Sequence, residues 1–200
     1  MKGKLFLIGF VLLGLLGGCF PSQKFTYNYY QANEKALQRI KQQYERLSKD
    51  RPFSIEFKDK NFTKLGLEII TDSIRYIYVF DSDSRALTDT LRKYHFDERG
   101  VNDLIYDMRQ NFCTWITTLD FYEKRQKKHL VFLTIRHKDL TAKWKDEKYF
   151  TLAFFSSRQL YDHKNRLLDK DLATQKRSIN GEIFYKVNDS IAYAYTGHFR

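Results

Sequence analysis

Residues 175–196 read QKRSINGEIFYKVNDSIAYAYT, and this stretch decides the fold class. Asn180-Gly181 and Asn188-Asp189 are dipeptides that tolerate positive φ, the requirement of tight hairpin turns. They divide the stretch into Gln175–Ile179, Glu182–Val187 and Ser190–Thr196, three short segments rich in β-branched and aromatic residues. The expectation is a three-stranded antiparallel meander at the end of the chain.

Working back, the pattern stays β as far as Trp115. Tyr149–Phe155, Leu130–Ile135 and Trp115–Tyr122 read as strands, with Glu123–His129 as a charged turn and His137–Lys148 as a polar connection. Leu160–Thr174 fits either a short helix or irregular structure. Before Trp115 the period changes. Val101, Leu104, Ile105, Met108 and Phe112 make the strongest amphipathic helical pattern in the chain. A helix carrying Leu87, Leu91 and Tyr94 precedes it, and Gly100 is read as the break between them. Phe53–Phe57, Leu65–Ile70 and Ile74–Phe80 are further strands, the last two joined through Thr71-Asp72-Ser73.

Asn28–Lys49 reads as a helix, with Asn28 and Gln31 in capping-box positions and Pro52 beyond its end. Tyr30, Asn33, Leu37, Ile40, Tyr44 and Leu47 form a heptad-like stripe. Such a stripe suits a coiled-coil dimer or a helix laid on a sheet. Fewer than three heptads do not sustain a coiled coil alone, so the sheet is the expected partner. The order of helix, strands, two helices and a run of strands predicts an α+β fold. It is a large antiparallel sheet with about three helices packed on one face.

The chain has 200 residues, enough for one domain with a real core. With 14 Tyr, 17 Phe and only 2 Pro, it has the composition of a folded domain rather than a disordered tail. Its formal charge is +11.

The N-terminus has its own logic. Lys2 and Lys4 form a positive segment, and Leu5–Leu16 is an apolar run too short to span a bilayer comfortably. Leu16-Gly17-Gly18-Cys19 then places an aliphatic residue and two small residues before a cysteine. The N-terminus resembles a bacterial lipoprotein signal peptide with its lipobox; the resemblance ends there, and the remaining chain is read from its residues alone. It implies removal of residues 1–18 by cleavage between Gly18 and Cys19, and attachment of diacylglyceryl to the Cys19 thiol. Further acylation, of the palmitate kind, follows at the new N-terminus. Two or three acyl chains hold a protein on a membrane where one does not, each buried methylene contributing about 0.8 kcal/mol. The expected organisation is signal peptide 1–18, lipidated tether 19–27 and a single domain 28–200.

The resemblance also implies a place, the bacterial cell envelope. Phe20, where Asp would retain a lipoprotein in the inner membrane, directs it to the outer membrane. Pro21-Ser22-Gln23-Lys24 lacks the acidic run of surface export, so the expected side is the periplasm. In a Gram-positive cell the same anchor implies the outer face of the plasma membrane. An exported basic protein meets anionic lipid or glycan, or another envelope protein, and not nucleic acid. Lys124, Arg125, Lys127 and Lys128 are the densest basic group, expected in a hairpin loop as a contact for such a surface. With Cys19 lipidated, Cys113 has no intramolecular disulfide partner.

Catalytic signatures are sparse. A hydrophobic strand ending in Asp81-Ser82-Asp83 resembles the haloacid-dehalogenase phosphatases, whose first Asp is a nucleophile beside Mg²⁺. The chain departs from that family at Arg85, lacks the downstream acidic motif and lacks a parallel βαβ rhythm. Asp81–Ser84 is therefore expected to cap the next helix. An EF-hand reading fails at Ala86 and Arg92, where Gly and Glu are needed. His95, His129, His137, His163 and His198 have no metal-ligand spacing, and no phosphate loop or nucleophile elbow is present. No cofactor is expected. The functional expectation is a lipid-anchored binding or accessory module. A hydrolase whose site assembles only in the fold, or a structural subunit of an envelope complex, is the alternative.

Overall fold

The computed structural model describes residues 21–71, 74–123, 126–136, 149–170, 172 and 174–196, without the side chains of 21–26 and 123. The expected signal residues 1–18, Cys19, Lys124, Arg125, His198 and the 137–148 connection lie outside them. The chain divides into two units, residues 1–32 and 33–200. In the first, residues 21–32 are helical. The second carries the sheet and the remaining helices.

Three helices and ten strands are present among the described residues. They are α1 (Pro21–Ser48), β1 (Phe53–Phe57), β2 (Lys64–Ile70), β3 (Arg75–Asp81), α2 (Arg85–Lys93) and α3 (Glu98–Gln110). Then come β4 (Cys113–Glu123), β5 (Gln126–Arg136), β6 (Tyr149–Phe155), β7 (Ser178–Ile179), β8 (Glu182–Ile183), β9 (Tyr185–Lys186) and β10 (Ile191–Thr196). The eight-stranded sheet runs β3-β2-β1-β4-β5-β6-β10-β9, with every neighbouring pair antiparallel. The α+β expectation with one large antiparallel sheet is met. Helix α1 starts at Pro21 among the described residues, so residues 21–27 of the expected tether are helical, and Asn28 lies inside the helix rather than at its cap. Pro suits that first position because its missing N–H would have no intrahelical partner there.

Alternation in the strands builds two cores. Phe53, Ile55 and Phe57 of β1 are fully buried on the face that meets the helices. Leu37, Ile40 and Tyr44 of α1 are buried as well, so within the second unit the stripe faces the domain's own core. Tyr44 meets Phe53 edge-on at 5.3 Å and donates its hydroxyl hydrogen to the Phe53 carbonyl over 2.5 Å. Arg39 of α1 forks onto Asp107 of α3 with two bonds of 2.9 Å. Tyr78 of β3 meets Tyr94 at the end of α2, their hydroxyls 2.6 Å apart.

The second core lies on the opposite face, over β4, β5, β6 and β10. Leu167, Ile179 of β7 and Phe184, all from the part of the chain after β6, cover Phe121, Leu130, Phe132, Ala153 and Phe155. Trp115 stacks on Phe132 at 6.1 Å, and the Arg177 guanidinium lies 4.5 Å from the Phe121 ring centre. The expected terminal meander is broken here. Asn180 and Gly181 do take positive φ, 52° and 81°, and turn β7 into β8. These two strands form a separate two-stranded sheet, while β9 pairs with β10 in the large one. Phe184, buried between β8 and β9, anchors the change of sheet.

Gly100 is not the helix break. Helix α2 ends at Lys93, and His95 takes the left-handed conformation, φ 56°. The N–H of His95 reaches Arg92 O at 3.0 Å and that of Phe96 reaches Leu91 O at 2.9 Å, which satisfies the last carbonyls. Arg51 adds its Nη1 to the Tyr94 and His95 carbonyls at 2.6 and 2.5 Å, a cation where the helix dipole favours one. Gly100 sits in the first turn of α3, where its N–H donates to the capping Asp97 carboxylate at 2.9 Å. A Cβ there would lie 2.5 Å from Asp97 Oδ2 and 2.8 Å from Leu47 Cδ2, so glycine lets α1 and α3 approach.

Candidate functional site

Strands β4 and β5 are longer than β1. The start of β1 at Phe53 leaves the far part of the β4–β5 hairpin without a neighbour on that side, and α1 ends above the gap. The result is a cleft of about 730 Å³. Its walls are Glu45 and Ser48 of α1, Lys49 just beyond it, Pro52, Ile70, Arg75 and Ser156. Its floor is Thr118, Asp120, Lys127, His129 and Val131 of the hairpin.

The chemistry of the floor follows from register. Asp120 is directly opposite His129, and strand alternation brings Lys127 to the same face. The Asp120 carboxylate contacts His129 Nδ1 through Oδ1 and Lys127 Nζ through Oδ2, the latter at 2.6 Å. Partial burial pushes the Asp120 carboxyl up, but hydrogen bonds from Lys127 and His129, with their charge, outweigh it and hold the carboxyl below its usual range. The bond to Asp120 raises Lys127 in turn. Asp120 is therefore an anion at neutral pH. It accepts the Nδ1 hydrogen of His129 and leaves Nε2 to meet a ligand. The His129 side chain is 65 % exposed, so a molecule in the cleft can reach it.

The basic group expected in a loop is therefore placed differently. Lys127 and Lys128 lie on β5, with opposite orientations, and only Lys127 enters the cleft. Lys124 and Arg125 are outside the described residues. Sequence reading missed Asp120 and His129 as a pair because their contact depends on a hairpin register, not on spacing. The nearest signal was the hairpin itself.

The other candidates serve structure. Asp81 ends β3, an edge strand of an antiparallel sheet, and Asp83 lies 3.5 Å from Arg109. Ser84 occupies the N-cap position of α2 without a side-chain capping bond, so the expected side-chain cap is absent; the Ser84 N–H instead donates to the Asp81 carbonyl at 2.9 Å. Cys113 is buried, and burial pushes its thiol well up, which makes it a core residue rather than a nucleophile. His95 belongs to the end of α2 and lines a cavity of about 450 Å³ with Arg46, Asp50 and Arg51. His163 lies in the irregular segment after β6. Among the described residues, no group of three His, Cys, Asp or Glu side chains is arranged to hold a metal, and no helix is long and apolar enough to cross a membrane. Compared with known proteins, the chain matches no family model, no curated protein and no solved structure.

Proposed function

We propose that this protein is a lipid-anchored component of the bacterial envelope that works as a binding or accessory module. The observation that carries the reading is Leu16-Gly17-Gly18-Cys19 behind a basic segment and an apolar run. Removal of residues 1–18 and lipidation of Cys19 leave the folded chain on a membrane, in the outer membrane facing the periplasm. The cleft over the β4–β5 hairpin is its binding element. Lys49, Arg75 and Lys127 line it against Glu45 and Asp120, an excess of positive charge suited to an anionic headgroup or glycan, with His129 beside them as a hydrogen-bonding group.

The test is fractionation of cells making the wild type or Cys19→Ala. The wild type is expected in the membrane fraction as a processed chain, and Cys19→Ala as an unprocessed precursor. Identical size and distribution of the two would sink the anchor.

One observation favours a second reading, a hydrolase. The Asp120 carboxylate holds His129 in the way a general base is held toward a water or hydroxyl. Hydrolysis of an ester by the wild type, lost in a folded His129→Ala, would decide for the enzyme. Equal rates in both chains would decide against it.

A further inference from the structure

Strand β3 is a free edge of the sheet among the described residues. Its seven residues pair only with β2, whereas the opposite edge is the two-residue β9. Long flat edges with apolar side chains are rare in a single copy of a protein, because their open N–H and C=O groups invite another strand. Here Ile77 is 66 % exposed and Val79 59 %.

The pattern of backbone bonds shows which groups are open. The ladder between β2 and β3 is flanked by Thr71 N to Ile74 O and Ser82 N to Thr63 O, at 2.9 and 2.8 Å. In an antiparallel ladder the bonded pairs recur at every second residue. Tyr76, Tyr78 and Phe80 therefore direct their backbone groups to β2. Arg75, Ile77 and Val79 direct theirs to the free edge, as does Asp81 with its N–H, while the Asp81 carbonyl already accepts the Ser84 N–H at 2.9 Å. The side chains of these same four residues share one face of the sheet.

We propose that β3 pairs antiparallel with β3 of a second copy, around a two-fold axis at Tyr78. Only residues with outward backbone groups can bond across the new seam. Centring the pair on Tyr78 engages all four residues at once, the Asp81 carbonyl as a second acceptor beside its bond from Ser84. Ile77 then faces Val79 of the other copy, and Arg75 faces Asp81, each pair occurring twice by symmetry. Opposite residues in such a ladder bring their side chains within about 5.5 Å. The result is two apolar pairs in the middle and an ion pair at each end. A shift of the centre to Ile77 or Val79 would set Val79 against Arg75 or Ile77 against Asp81. The charge pattern thus selects one register. The interface is isologous and closes at two copies. The Arg75 side chain is 66 % exposed; it holds Glu68 of its own chain through Nη1 at 3.0 Å and borders the cleft, so in the seam its guanidinium is shared between Glu68 and Asp81 of the other copy.

The test uses the full chain extracted in detergent, as two differently tagged copies, with co-purification and light scattering as readouts. The wild type is expected to co-purify with itself as a dimer. Arg75→Asp sets Asp against Asp at both ends, and Asp81→Arg sets Arg against Arg. Each single variant is expected to self-associate about tenfold or more weakly. Mixing the two restores an ion pair at each end of the seam and is expected to recover co-purification. Circular dichroism of each variant checks that the fold persists. The mixture keeps the test sharp, since an unfolded variant could not be rescued by pairing. A monomeric wild type, or single variants that dimerise as well as the wild type, would overturn the proposal. Association with another protein that ignores both reversals would overturn it too.

Discussion

At the scale of residues, carboxylates at turns hold much of the detail together. Asp59 accepts the N–H groups of Asn61, Thr63 and Lys64 and the Thr63 hydroxyl, closing the turn from β1 to β2. Asp162 accepts the N–H groups of Lys164 and Arg166 at 2.8 and 2.9 Å and the Arg166 guanidinium at 2.6 Å. Burial works against the charge of each. For Asp162, the Arg166 and Lys164 bonds outweigh it and bring the carboxyl down to about 2. For Asp59, the Lys64 and Thr63 bonds lower it likewise. A group whose folded pKa is depressed stabilises the fold above its unfolded value of about 4, and that stability is lost as the pH falls towards the folded value. Urea denaturation should therefore give a falling stability from about pH 5 to about pH 2. Asp162→Asn should flatten part of that slope and cost stability at neutral pH. A stability unchanged across this range would contradict the account.

Elements show why some features were legible in the sequence. Strands β1 and β6 fall at the expected Phe53–Phe57 and Tyr149–Phe155, where apolar residues stand between plain breaks. The break before α3 was misplaced because glycine usually ends helices, and here it serves packing instead. The left-handed His95 that does end α2 carries no compositional mark. Gly100→Ala tests this directly. It forces Asp97 and Leu47 apart, so thermal or urea unfolding should show a loss of about 1–3 kcal/mol. Gly66→Ala is the control, since the nearest atom to its added Cβ is the flexible Lys58 Cε at 2.8 Å. Equal stability of wild type and Gly100→Ala would show that α1 and α3 do not approach there.

At the scale of the whole molecule, the antiparallel sheet and its helices follow from periodicity. The second core does not. Leu167, Ile179 and Phe184 come from a segment with no sustained period, one in an isolated bridge, one in the two-residue β7 and one between β8 and β9, rather than from one repeated face. The cleft was equally hidden, because it arises from the unequal lengths of β1 and the β4–β5 hairpin. The proposed anchor is the reverse case. It is read entirely from residues 1–19, and it would decide where the cleft acts. The measurement that tests it most directly is mass spectrometry of the mature protein's N-terminus, taken from the membrane of the native host. The account predicts a chain that begins at Cys19, carries diacylglyceryl on its thiol and lacks residues 1–18. A mature chain that retains those residues, or begins elsewhere with an unmodified Cys19, would contradict it.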